Sequence, residues 1–500
     1  MALWQVAADA TSAHNDDDDD DRNRDETSEE KVARIQEQQR IPAWPCFDAL
    51  DKRLITISLP IIANFAINPI LGAVDLFWVS MTKDPLAVAG QAAANQVFGS
   101  VFWLTSFLPS VSATLISRAH ASGDTKGVQD AAAQALLVGS ILAILSSVLL
   151  FLAPNVVLGS VLTAGAPALQ YARPYLFVRT FAFLPAVISL VGFSTFRGVL
   201  DTVTPVKISL FANLFNAILD PILIFTCGWG VTGAAVATLV AELLSALLYL
   251  RLLLQRQFLG RTASIVPAQL RTLLKGGAAL QLRNVALNIA FLAVARVTLS
   301  IDPTGVAASA HAMAIQVFQV GGIVLLGLST VAQTVVPNDL VERYDTTQQR
   351  TVGGLHAARS TVRRLMRWGL VLGVLLGSLQ IALLPVIQKG TPLREVQEAA
   401  KIPSMLASLY QIMNGLVFIG EGVMVGTGSF LQLSLSTIVA TGGLLWALRT
   451  FPPLFGLTGV WVGFGVFNVL RLAGVFYHQF INGPLARRKM PDHAIVESKG

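Results

Sequence analysis

The 500-residue chain predicts an all-α integral membrane protein of about twelve transmembrane helices, and three observations predict it. Hydrophobic residues make up 53% of the chain and charged residues only 13%. Apolar stretches of helical length recur from Leu54 onward, each near the roughly 20 residues that a bilayer crossing demands. The third observation is a repeat: Val88 to Phe98 matches Ala308 to Phe318, and Gly230-Val-Thr-Gly233-Ala matches Gly456-Leu-Thr-Gly459-Val, in the same order. About six spans per copy leaves both copies in one orientation. Two six-helix lobes related by a pseudo-two-fold axis along the membrane normal follow from that.

Taken in order, residues 1–50 read as an acidic cytoplasmic tail, with the run Asp16 to Asp21 and a mixed-charge stretch that cannot bury a core and is expected to be disordered. It lacks the apolar stretch of a secretory signal, and its acids argue against a transit peptide. A regulatory or sorting role is the alternative to a solvated tail. Spans follow at roughly 54–79, 86–109, 128–152, 169–192, 205–227, 231–252, 272–299, 306–331, 365–388, 403–424, 428–448 and 455–480. These give an N-lobe over 51–255, an interlobe linker over 256–275, a C-lobe over 276–482 and a C-terminal tail over 483–500. Gly420 to Gly428 reads as a glycine-rich break between the tenth and eleventh spans, with Glu421 its only charge. Basic residues gather at one set of span ends, from Lys52 and Arg53 through Arg359, Arg363, Arg364 and Arg367 to Arg487, Arg488 and Lys489, so both termini are expected in the cytoplasm. The net charge of +6 then belongs to loops and anionic lipid, and no nucleic-acid partner is expected.

Cys46 and Cys227 lie far apart, which offers neither a disulfide framework nor a metal-ligand spacing. No phosphate-cradling G-x-x-x-x-G-K-[ST] pattern occurs, so ATP-driven transport within this chain is not expected. Neither a nucleophile triad nor a metal cluster stands out; the reading is no enzyme, no metal and no cofactor. Six histidines are scattered, and only His311 is read as lying inside a span where its ring could matter.

Polar side chains within apolar runs carry the functional argument. A charge near the bilayer centre costs at least ~2.5 kcal/mol, so acids there mark ion or proton pathways. Asn213, Asn216 and Asp220 are spaced i, i+3, i+7 and share one helical face; Asn64, Asn68 and Asp75, at i, i+4, i+11, share another. At ~1.5 Å rise per residue, Asp75 and Asp220 come to comparable depths in the outer half of the membrane. Thr238 stands near enough to join them, and Glu242 lies one turn further on the same face. For Glu242, pairing with a base such as Arg471 is favoured over a share in proton binding. Pro221 makes either a hinge or a fixed bend.

In the C-lobe, Arg283 falls near mid-membrane beside Gln281, Asn284 and Asn288. A guanidinium there suits a carboxylate by bidentate hydrogen bonding; the alternative is a strut to a carbonyl or to Glu242. His311, Gln316 and Asn414 complete the candidate substrate set. The seventh span holds no carboxylate.

The stretch Phe196-Arg-Gly198-Val-Leu-Asp201-Thr202-Val-Thr204-Pro205, followed by Asn213, Asn216, Leu219-Asp220-Pro221 and Gly230-Val-Thr-Gly233, resembles the signature of multidrug and toxic compound extrusion (MATE) transporters. Val74-Asp75-Leu76-Phe77-Trp78-Val79 resembles that family's first-span acid motif, and the likeness is nearest to the DinF-like branch, whose pattern also has an arginine near Arg283. The resemblance implies export of a small organic solute against an inward proton or sodium gradient. It carries the family's proton site onto Asp75, Asn216, Asp220 and Thr238, with Asn64, Asn68, Asn213 and Glu242 as a supporting network. Glu242 departs from the family pattern.

Removing a carboxylate from water favours its neutral form, so gain and loss of a proton would bias the N-lobe between two packings while substrate biases it the other way. Antiport is reciprocal coupling of this kind. The function expected is a proton-coupled antiporter, acting as a monomer in a lipid bilayer, that exports an organic anion such as a carboxylate or phenolic acid. An organic-cation or multidrug exporter and a lipid-precursor flippase are the alternatives. Sodium stays open beside H⁺, as do plasma membrane, plastid and vacuole.

Overall fold

The computed structural model describes residues 44–486 apart from 164, 261–263, 303, 346–349 and 390. Among them, twelve helices are long and apolar enough to cross a bilayer: α1 Ala49–Ser80, α2 Pro85–Ala121, α3 Thr125–Leu152, α4 Leu169–Gly198, α5 Val203–Thr226, α6 Gly230–Gln255, α7 Pro267–Ile301, α8 Val306–Asp339, α9 Gly354–Gln388, α10 Arg394–Gly426, α11 Phe430–Thr450 and α12 Pro452–Asn482. α2 passes through a 3₁₀ turn at Trp103–Thr105. A three-residue antiparallel ribbon, β1 Arg343–Asp345 against β2 Arg350–Val352, joins α8 to α9 and has no counterpart in the sequence expectation.

Short polar caps set several helix starts. Asp48 accepts from the Asp51 amide, Asp84 from Leu86 with Pro85 as the first helical residue, and Asp124 from Gly127. Three boundaries differ from the sequence reading. α1 begins at Ala49, inside the segment assigned to the tail, while residues 1–43 and 487–500 of the two tails lie outside the described residues. The linker is shorter than expected, because Pro267 opens α7 and residues 267–275 are helical. Gly420 to Gly426 is no break: α10 runs through it, since close packing against α8 and α12 favours small residues there, and the chain turns only at 427–429.

Each lobe is built around its fourth helix. α4 packs on α2, α3 and α6, and its repeat counterpart α10 packs on α8, α9 and α12. A Cβ on Gly415 would come within 2.0 Å of the Gly369 carbonyl, so the α9–α10 approach excludes any side chain. The repeat is also visible in backbone conformation. Gly230 and Gly456, at matching positions at the start of α6 and within α12, both adopt φ 54, a region that glycine enters without steric penalty.

The chain crosses back and forth, which places the start of α1 and the ends of α2, α8, α10 and α12 at one end of the bundle, the near end. Contact between the lobes concentrates there. Leu54, Ile57 and Ile61 of α1 pack against Leu328, Val331 and Val335 of α8 and Leu365 of α9. The Ser117 hydroxyl donates to the Thr334 carbonyl at 2.6 Å, Arg53 pairs with Asp339 at 2.9 Å, and fully buried Arg364 bridges Asp51 at 2.6 Å and Asp48 at 2.8 Å. Toward the far end, α2 and α7 stand apart around a cavity of about 780 Å³ lined by Asn95, Ser100, Trp103, Asn288 and Leu292. The lobes are thus joined at the near end and parted at the far end.

Candidate functional site

Six polar residues picked out in the N-lobe sequence line one cavity of about 340 Å³: Asn64, Asp75, Asn213, Asn216, Thr238 and Glu242. Asn216 Nδ2 donates to Asp75 Oδ1 at 2.8 Å and lies 3.5 Å from Asp220 Oδ2, so one amide spans both acids. The two carboxyls are thus gathered on a single amide. The i, i+4 spacing in α5 stacks Asn216 on Asp220, and Asp220 is fully buried. Directly after it, Pro221 ends the α-helical ladder, and the backbone continues as a π turn over Ile222–Thr226. Asn64 donates to the Ser209 hydroxyl at 2.9 Å and ties α1 to α5. The side chain of Asn68 lies outside the described residues.

Two N-lobe residues behave differently from expectation. The Thr238 hydroxyl donates to the Ala234 carbonyl of its own helix at 3.0 Å, so it borders the cavity without bonding the acids. Glu242 pairs with Arg179 of α4 at 2.9 Å and not with Arg471, which belongs to the other lobe. Arg179 is 8% exposed and lies over the Phe98 ring at 4.1 Å. Sequence leaves Arg179 open between snorkelling and a buried role, although an arginine inside an apolar run demands a partner as strongly as an aspartate does.

In the C-lobe, Glu421 holds two guanidiniums. Arg471 donates Nε to Oε1 at 2.8 Å and Nη2 to Oε2 at 2.9 Å, while Arg283 Nη2 meets Oε2 at 2.6 Å. Arg283 is therefore a paired cation whose partner is an acid that the sequence reading had placed in a loop. Arg283, Glu421, Asn284 and Ser106 border a cavity of about 530 Å³ formed by both lobes. Asn284 Nδ2 donates to Ser106 Oγ at 2.8 Å and to Gln281 Oε1 at 2.9 Å, and Gln281 Nε2 reaches the Trp103 carbonyl at 3.3 Å, which stitches α7 to α2. Phe65 of α1 borders both this central cavity and the N-lobe cavity.

The remaining substrate candidates do not converge with Arg283. Asn288 lines the far cleft and donates to its own helix at Asn284. The His311 ring stacks on Phe464 and tilts against Trp461, Gln316 is exposed, and fully buried Asn414 bonds Gln411 at 3.3 Å. Helical periodicity shows which residues share a face; it does not show which face meets the cavity. His478, near the end of α12, also lies inside a span, is fully buried where His311 is half-buried, and sits 2.9 Å from the Ser429 hydroxyl.

Comparison with known proteins agrees with the twelve-span helical fold. The MatE family model matches residues 60–222, which span the whole acid pair. Protein DETOXIFICATION 44, chloroplastic, of Arabidopsis thaliana is 27% identical over 86% of this chain and 82% of its own length. DNA damage-inducible protein F of Escherichia coli (strain K12) is 25% identical over 87% of this chain and 93% of its own length. The chain is similar to MATE-family proteins over most of its length. Among solved structures, the Vibrio cholerae MATE transporter VcmN in the bent form superposes with a TM-score of 0.76 at 18% identity, covering 86% of this chain and 95% of the other, a likeness of fold. With its twelve apolar spans and these relatives, the chain is an integral multi-pass membrane transporter, and not an enzyme. Within the MATE fold it carries an acid-rich pocket in one lobe and an arginine-rich cluster at the lobe interface.

Proposed function

We propose that this MATE transporter exports a small organic anion, a carboxylate or phenolic acid, in exchange for protons by alternating access of its two lobes. The observation that carries the reading is the Arg283–Glu421–Arg471 cluster beside the central cavity, in which two guanidiniums face one carboxylate and leave a net positive charge. Arg283 is the member 20% exposed, and its Nε is buried with no hydrogen-bond partner among the described residues. A solute carboxylate entering the cavity finds there a donor that Glu421 does not use.

The exchange partner binds in the N-lobe. Two carboxyls gathered on one amide hold one proton between them, because neighbouring negative charges repel, and Asn216 keeps both in place. Releasing that proton drives the acids apart or draws in a cation, and either movement displaces α1, which carries Asp75. α1 also carries Phe65, the wall shared with the central cavity, so proton loss and anion release act on one helix. Basic residues at the near end support a cytoplasmic placement of both termini, and the parted far end then faces the outside. The protein acts as a monomer in this reading.

Purified transporter in proteoliposomes, offered labelled citrate or a lipophilic cation, each with and without a pH gradient and with sodium replacing it, tests the proposal. Citrate flux that follows the pH gradient is expected. Flux of the cation alone supports the multidrug reading instead, and flux that follows sodium reassigns the coupling ion.

A further inference from the structure

Away from the transport path, the near ends of α9, α10 and α12 enclose a groove of about 550 Å³ that the exchange mechanism leaves unused. Its wall is apolar, formed by Met366 and Leu370 of α9, Leu416 of α10, and Phe476 and Phe480 of α12. Its rim is cationic. Arg359, Arg363 and Arg367 follow at four-residue steps, which sets three guanidiniums along one face of α9. Arg359 fixes the end of the described chain, with Nε donating to the Leu485 carbonyl at 2.8 Å and Nη2 to Ala486 at 3.0 Å. Arg363 is exposed, and its Nη2 meets the Ser360 hydroxyl at 3.2 Å.

Between rim and wall stands Gln479, held in the π turn His478–Asn482. Its side-chain nitrogen is buried and has no hydrogen-bond partner among the described residues. Buried donors are nearly always satisfied, so this one marks the place of an acceptor supplied from elsewhere. Phe480 is 69% exposed and Ile481 53%, which opens the groove sideways at the depth of a span end. Apolar wall, orphan donor and cationic rim succeed one another in the order of a lipid's acyl chain, ester and phosphate.

We propose that this groove binds one anionic glycerophospholipid, its acyl chain against Phe476 and Phe480, an ester oxygen on Gln479, and its phosphate along the arginine row. Charge complementarity selects the lipid class, since a zwitterionic headgroup gains little from a row of guanidiniums. Free phosphate would leave the apolar wall unused. Bound lipid bridges α9 and α12 and would stiffen the C-lobe at the end where the lobes join.

Full-length protein in neutral detergent, titrated with dioleoylphosphatidylglycerol, dioleoylphosphatidylcholine or inorganic phosphate, tests this by native mass spectrometry and thermal unfolding. A one-to-one adduct and a raised Tm are expected with phosphatidylglycerol alone. Arg363→Gln, on an exposed side chain, should weaken the adduct about fivefold, and Leu370→Trp, which fills the groove, should remove it. The Arg363 variant keeps the test readable should Leu370→Trp fail to fold. An equal response to phosphatidylcholine or to inorganic phosphate, or an adduct undiminished in Arg363→Gln, overturns the proposal. So does an adduct that appears only after deletion of residues 487–500, which would make the chain's own tail the occupant.

Discussion

The two lobes share one helical plan and solve the burial of charge with opposite polarity. In the N-lobe, the fourth helix supplies the base and the sixth the acid, Arg179 with Glu242; in the C-lobe, the fourth helix α10 supplies the acid and the sixth, α12, the base, Glu421 with Arg471. The N-lobe pair lies toward the middle and far part of its helices, while Glu421 falls within the last turns of α10 near the lobe junction. Each pair is then unbalanced by a third charge from its lobe's first helix. Asp75 of α1 adds to the negative side, in company with Asp220, and Arg283 of α7 adds to the positive side. A common scaffold therefore presents a pocket fit for a cation or proton in one lobe and a cluster fit for an anion in the other. Repeat symmetry in the backbone does not impose symmetry in chemistry.

The comparison breaks most sharply at the acids. Asp75→Asn combined with Asp220→Asn should lower pH-driven solute transport in proteoliposomes by about a hundredfold, the upper range of a coupling free energy of 1–3 kcal/mol. Undiminished coupled flux would move the coupling site out of the N-lobe. The two C-lobe arginines should then separate from each other. Arg471→Ala removes the bidentate partner and leaves buried Glu421 with the single Arg283 contact, a change bounded by the about 3–5 kcal/mol of a fully unpaired buried charge, and it should appear as a fall in Tm. Arg283→Ala keeps the bidentate Glu421–Arg471 pair, so the fold should persist while KM for an anionic solute rises about tenfold, as loss of a charged hydrogen bond implies. Equal destabilisation by both changes would make Arg283 a strut.

Phe65 sharpens the comparison at the wall between the two chemistries. Phe65→Ala joins the N-lobe and central cavities and should weaken coupling by roughly 0.5–2 kcal/mol, read as proton leak without solute. An unchanged leak would mean that the acids and the arginine cluster communicate by another route. The smallest effect lies outside the membrane. Asp84 accepts a hydrogen bond from the Tyr171 hydroxyl, which holds its carboxyl below the usual carboxylate range. A depressed folded-state pKa favours the native form above the ordinary carboxylate value, and the advantage fades as pH falls through the folded value. Tyr171→Phe should therefore melt slightly below wild type at neutral pH, with the gap closing in acid, and transport should not change.

Spans, repeat and acid faces were legible because each is a local pattern. Twelve apolar stretches announce themselves by length, and Asn213, Asn216 and Asp220 by spacing on one helix. The partners of charges were not legible in the same way. Glu242 lies 63 residues from Arg179, and Glu421 lies 138 from Arg283 and 50 from Arg471, so no periodicity links them. Glu421 was further obscured by its glycines, which read as a turn in isolation but serve close helix packing in α10. His311 and Asn414 show the converse, since a polar residue in an apolar run can face an aromatic cluster or another helix as readily as a cavity.

By itself, the order of residues determined that this chain lies in a bilayer as two like-oriented halves and that α1 and α5 carry acids able to meet, because hydrophobic length and helical pitch act over one span. The tertiary structure alone decided that Asn216 spans the acid pair, that Arg179 answers Glu242, and that Glu421 gathers two arginines beside the central cavity. In a medium without water, each buried charge takes whatever partner packing brings within reach, and packing is a property of the whole bundle.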